Sequence, residues 1–78
     1  MNTDLTNILR DDIHVAPDHL APDTSLQDAG IDSLAVVELS VQLSDTLGIT
    51  VSENDIARAA TLGDIDTLVT TELTRSSR

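Results

Sequence analysis

An all-α architecture is expected for this chain: a small four-helix bundle, three longer helices and a short third one. Aliphatic residues recur at intervals of three and four, the period of an amphipathic helix. Helix-capping residues stand ahead of four such stretches. No run alternates apolar with polar as a half-buried strand would, and neither an internal repeat nor a low-complexity tract interrupts the chain.

Leu5, Ile8, Leu9 and Ile13 define the first helix, about residues 4–14, with Thr3 or Asp4 as N-cap. Arg10, Asp11 and Asp12 then face water. Pro17 and Pro22 break the pattern, so residues 15–32 read as a long loop pinned by Leu20, Leu26 and Ile31. Loops of this length in a compact domain are often functional. The second helix is expected over about 33–47, stopped by Gly48. An extended Ile49-Thr50-Val51 linker follows. Ser52 and Asp55 make a capping-box-like pair, with Val51 and Ile56 spaced as a hydrophobic staple, for a third helix of about 53–59. Thr61 and Asp64 repeat the capping pattern, and the fourth helix turns Ile65, Leu68, Val69 and Leu73 inward. One domain over 1–78 is expected, structured over about 4–74, with Arg75-Ser76-Ser77-Arg78 as a polar tail.

The composition narrows the function. A domain of 78 residues buries only about 60% of its unfolded surface. With no cysteine and no aromatic residue, its core must be aliphatic, and disulfides and thiolate metal or redox sites are excluded. His14 and His19 do not make a metal site. Fourteen acids against four arginines give a formal charge of -10. That field argues against nucleic acid and anionic membranes as partners; by itself it fits equally a steering of basic protein surfaces toward the chain and a plain aid to solubility. No segment approaches the roughly 20 apolar residues of a membrane span, and the polar N-terminus is unlike a signal peptide. The chain is read as a free-standing cytoplasmic monomer.

The second helix carries two apolar stripes. At about 100° per residue, Val36, Leu39, Leu43 and Leu47 share one face, the expected core face. Leu34, Val37 and Val41 share another, roughly 150° away, flanked by Glu38 and Asp45. Either the helix lies centrally and buries both stripes, or the second is an exposed apolar patch with an acidic rim, the form of a partner surface.

Ahead of this helix stands Asp28-Ala29-Gly30-Ile31-Asp32-Ser33-Leu34. Asp32 and Ser33 are both good N-caps, which is the plain structural use of such a pair. A phosphodiester on Ser33 would also be well placed, facing unpaired N–H groups and the positive end of the helix dipole. Gly30 permits a tight bend and leaves room for a modifying enzyme to reach the hydroxyl.

The segment Asp-x-Gly-x-Asp-Ser-Leu resembles the attachment motif of the acyl carrier protein family, and the similarity extends over about residues 5–73. Val37-Glu38-Leu39, Leu47-Gly48-Ile49-Thr50-Val51 and Thr61-Leu62-Gly63-Asp64-Ile65 resemble further family segments. The resemblance implies that Ser33, beside Asp32 and Gly30, accepts 4'-phosphopantetheine from coenzyme A through a phosphopantetheinyl transferase. It implies that the arm's thiol carries an acyl group, so a chain without cysteine serves thiol chemistry with the cofactor's sulfur. Acyl-loading and condensing, ketosynthase-type enzymes would dock basic patches on Asp32, Glu38 and Asp45 and apolar surface on Leu34, Val37 and Val41. The protein would be a substrate of its partners and not itself an enzyme.

Ser44 and Thr46 stand where carriers of fatty acid synthesis usually have acids, Ala35 where a polar residue is common, and Leu47 in place of a frequent aromatic. These departures favour a specialised polyketide-like pathway over primary fatty acid synthesis. Asp32, rather than His, before Ser33 tilts toward acyl over aminoacyl cargo. A peptidyl carrier, or a helical interaction domain without a prosthetic group, are the alternatives. A serine hydrolase is disfavoured because the motif is not Gly-x-Ser-x-Gly, and calcium binding because the acids lack the loop spacing. An aliphatic core bounded by the second and third helices could shelter a modest acyl chain, which the packing decides.

Overall fold

In a computed structural model, residues 1–76 are described. They form α1 (Thr3–Asp11), a 3-10 turn (Pro17–His19), α2 (Ser33–Leu47), α3 (Glu53–Arg58) and α4 (Leu62–Ser76). This is the four-helix arrangement with a short third member, and among the described residues there is no strand. Leu5, Leu9, Leu39, Leu43, Ile56, Leu62, Ile65 and Val69 are wholly buried and form one aliphatic core.

The ends of α1 differ from expectation. Its N-cap is Asn2, whose side-chain oxygen accepts from the amides of Asp4 (2.8 Å) and Leu5 (3.2 Å). Thr3 and Asp4 already lie inside or against the first turn. The helix stops at Asp11, short of residue 14, because His14 takes a left-handed backbone (φ 68°). The amides of Asp12 and Ile13 both donate to Ile8 O, and that of Val15 reaches back to Leu9 O. This turn drops Val15 into the core. A fourth consecutive helical turn would have carried it elsewhere.

The long segment 15–32 is more ordered than a plain loop. Leu20 and Leu26 are half-buried and Ile31 is buried, as expected, but Val15 and Ala29 are buried too. Its backbone is bonded to the start of α4. Leu62 N donates to Thr24 O (2.9 Å), Gly63 N to Pro22 O (2.8 Å) and Leu26 N to Ala60 O (3.4 Å), around a bridge between Ser25 and Thr61. These bonds give a non-helical segment the backbone partners that burial requires.

The remaining helices begin and end at their caps. α2 starts on Asp32, whose carboxylate accepts from Ala35 N (2.9 Å), and stops at Gly48 in a left-handed conformation (φ 66°). Ser40 Oγ donates to Val51 O (2.8 Å), tying α2 to the linker that follows it. Ser52 caps α3 by accepting from Asp55 N, and the spaced pair Val51 and Ile56 is buried. α4 has a reciprocal box: Thr61 Oγ1 accepts from Asp64 N, while Asp64 Oδ2 accepts from Ala60 N and Thr61 N. α4 runs through Ser76, two residues into the expected polar tail, and Arg75 pairs with Glu72. Residues 77–78 of that tail lie outside the described residues. No helix among them is long and apolar enough to cross a membrane.

Candidate functional site at the start of the second helix

The turn that delivers Ser33 is built by its own backbone. Ala29, Gly30 and Ile31 donate to the carbonyls of Ser25, Gln27 and Leu26, and Asp28 N donates to Ser25 Oγ. Ala29 and Ile31 are thereby anchored in the core while Asp28 and Gly30 stay outside. Gly30 has φ 77°, and a Cβ built there meets nothing within 4 Å. Glycine is thus required by the left-handed turn.

Ser33 is the first residue of α2 and is exposed. Asp32 occupies the N-cap, so Ser33 Oγ is free of that duty and has no protein partner among the described residues. The amides of Ser33 and Leu34 likewise take no protein acceptor, and the first turn of α2 carries no acid. Free N–H groups at the head of a 15-residue helix suit an anion. The residues present therefore fit a phosphodiester at this hydroxyl, with the Asp32 carboxylate partly occupied by Ala35 N.

The two stripes of α2 are resolved by their exposure. Val36, Leu39 and Leu43 are buried, and Leu47 is half-buried beside them. Leu34 is 67%, Val37 40% and Val41 50% exposed, the three large apolar side chains most open to water among the described residues. The helix does not lie centrally. Glu38 and Asp45 are exposed alongside that stripe, without protein partners among the described residues. Five of the expected site residues thus share one outer face that begins next to Ser33, while Gly30 acts through the backbone.

Beside Ser33 an open cleft of about 650 Å³ separates the head of α2 from α3. Asp32, Ser33, Val36 and Val37 form one side, and Glu53, Asn54 and Ala57 the other, with Gln27 and Ala60 among the remaining lining. The wall from α3 and the 25–27 turn was not legible in the sequence, because only packing brings these three segments together. His14 and His19 do not line the cleft, and among the described residues no group of His, Cys, Asp or Glu is arranged to hold a metal.

Residues 3–69 match the family model described as the phosphopantetheine attachment site. The chain belongs to the acyl carrier protein family. It is 33% identical over 73 residues to acyl carrier protein MbtL of Mycolicibacterium paratuberculosis, covering 92% of this chain and 82% of that one. It is 32% identical over 66 residues to the meromycolate extension acyl carrier protein of Mycobacterium leprae (83% of this chain, 57% of the relative). It is 36% identical over 67 residues to orsellinic acid synthase of Beauveria bassiana, of which it spans 3%. As a member of this family the protein is a carrier and not an enzyme. Its cofactor is phosphopantetheine, whose thiol holds acyl groups as thioesters. It works with biosynthetic enzymes that act on that cargo.

Proposed function

We propose that Ser33 bears the phosphopantetheine arm and that the outer face of α2 presents the loaded arm to partner enzymes. The observation that carries this is the exposed, unpartnered Ser33 hydroxyl at a helix head with two free amides. The motif around it falls inside the region matched by the family model. A phosphopantetheinyl transferase supplies the arm from coenzyme A, in the cytoplasm where that donor is used. Acyl-loading and ketosynthase-type condensing enzymes then dock on Leu34, Val37 and Val41, with basic groups meeting Asp32, Glu38 and Asp45. The overall charge of -10 favours such basic surfaces at long range. The neutral Ser44 and Thr46 on α2 and the likeness to a segment of orsellinic acid synthase support a polyketide-like pathway.

Incubation with coenzyme A and a broad-range phosphopantetheinyl transferase should raise the intact mass by one phosphopantetheine. The Ser33→Ala variant, with its helical circular dichroism unchanged, should gain nothing. An adduct that persists in Ser33→Ala would overturn the assignment.

A further inference from the structure

The turn that presents Ser33 is held at its upstream end by Ser25. Ser25 Oγ accepts from Asp28 N (3.0 Å), and Ser25 O accepts from Ala29 N (3.0 Å). The next two bonds, Gly30 N to Gln27 O (3.1 Å) and Ile31 N to Leu26 O (2.9 Å), close on the residues immediately after it. Ala29 and Ile31 are buried, whereas Asp28 and Gly30 are open to water. The chain then enters α2 through the Asp32 cap.

Ser25 is itself fixed from behind. Its backbone pairs with Thr61, flanked by the bonds Leu62 N to Thr24 O (2.9 Å) and Leu26 N to Ala60 O (3.4 Å). Across that pairing, Asp64 Oδ2 accepts from Ala60 N (3.0 Å) and Thr61 N (3.3 Å), so the facing segment is held by the cap of α4. Ser25 thus bonds the turn through both side chain and main chain while paired with the head of α4.

The effect of the hydroxyl is local. Its bond to Asp28 N lies at the surface, and water can satisfy that amide when the hydroxyl is gone, so the bundle as a whole loses little. A turn closed by surface bonds opens at low free energy. What falls is the fraction of molecules that hold Ser33 in its presented geometry. An enzyme that must reach Ser33 Oγ binds that fraction alone: its apparent affinity drops by the same factor, and its rate once bound does not change.

We infer that Ser25 is a positioning residue for attachment of the phosphopantetheine arm, its hydroxyl holding the 26–31 turn, through the Asp28 amide, in the form that offers Ser33 to the transferase. The inference rests on Ser33 bearing the arm.

The test is the steady-state kinetics of a broad-range phosphopantetheinyl transferase with coenzyme A, the carrier concentration being varied. Ser25→Ala should raise KM for the carrier about fivefold, the scale of one net hydrogen bond, with kcat unchanged. Ser25→Thr keeps the hydroxyl and should restore KM, while its isostere Ser25→Val should behave as the alanine variant does. Amide exchange in Ser25→Ala should quicken at Asp28, Ala29 and Gly30 and stay unchanged at Leu39 and Leu43. Ser40→Ala is the control, because it removes a comparable bond, Ser40 Oγ to Val51 O (2.8 Å), away from the turn. It should lower the melting temperature at least as much and leave KM alone. An unmoved KM in Ser25→Ala and Ser25→Val overturns the positioning role alone, and so does an equal rise in Ser40→Ala. Unsubstituted protein that gains no adduct overturns the Ser33 reading, and the positioning role with it.

Discussion

His14 holds a left-handed backbone (φ 68°) that costs a residue with a Cβ about 1–2 kcal/mol and costs glycine little. Its imidazole is exposed and donates no hydrogen bond that would offset the strain. His14→Gly should therefore raise stability by about 1 kcal/mol, less the extra freedom that glycine gives the unfolded chain. Thermal melts followed by circular dichroism would show a rise of up to roughly 4–8 °C for a domain of this size. No change, or a fall, would mean that the ring supports the turn. The contrast with Gly30 and Gly48 is instructive. There glycine announced a left-handed residue in the sequence. At His14 nothing did, because Leu5, Ile8, Leu9 and Ile13 keep helical spacing straight into the turn. The α1 cap was misread for a similar reason: Asn2, Thr3 and Asp4 are all capable caps, and only the geometry selects Asn2.

At the level of elements, α4 begins where two chain segments come closest. Gly63 N donates to Pro22 O, and a Cβ at Gly63 would lie 2.8 Å from that same carbonyl oxygen. Helix propensity favours alanine over glycine by up to about 1 kcal/mol. The clash opposes it with a backbone atom already fixed by neighbouring bonds to Thr24 and Leu26, so relief requires moving the segment. Overpacking of this kind costs about 1–3 kcal/mol, so the clash wins. Gly63→Ala should lower the urea midpoint, and amide exchange should quicken at Leu62 and Gly63 before it does in α2. A midpoint that rises would show that propensity prevails. Helix limits were legible wherever a cap and its partner sit three residues apart, as with Asp32, Ser52 and the Thr61–Asp64 box. The α4 contact was not, since its halves are about forty residues apart in sequence. The same holds for the cleft, whose walls come from three segments. Ser33 and the outer stripe of α2 were readable because they lie in one short stretch with one period.

Across the whole molecule, charge is spread with little compensation. Two ion pairs occur among the described residues, Arg10–Asp11 and Arg75–Glu72, and each is solvent-exposed. Such pairs contribute little. Arg10, through its hydrogen bond, holds the Asp11 carboxyl below its ordinary range. That small contribution is present at neutral pH and fades as the medium is acidified through the lowered value. A net charge of -10 in a body with a radius of gyration of 11.1 Å repels itself at low ionic strength. Raising salt from about 10 mM to 0.5 M shortens the screening length from roughly 30 Å to a few ångström. The melting temperature should climb by roughly 4–8 °C if screening recovers about 1 kcal/mol. A melting temperature that falls with salt would mean that attractive pairs outweigh the repulsion.

The main-chain amide of Asn2 donates to Asp66 Oδ1 on α4 at 2.8 Å, while its side chain caps α1. One residue thus joins the first helix to the last. Because the donor is a peptide nitrogen and Met1 takes no part in the bond, anything spliced upstream leaves this fastening intact. A polypeptide leader or a reporter hung there should therefore leave the bundle fastened, and neither Met1 nor Asn2 lines the cleft.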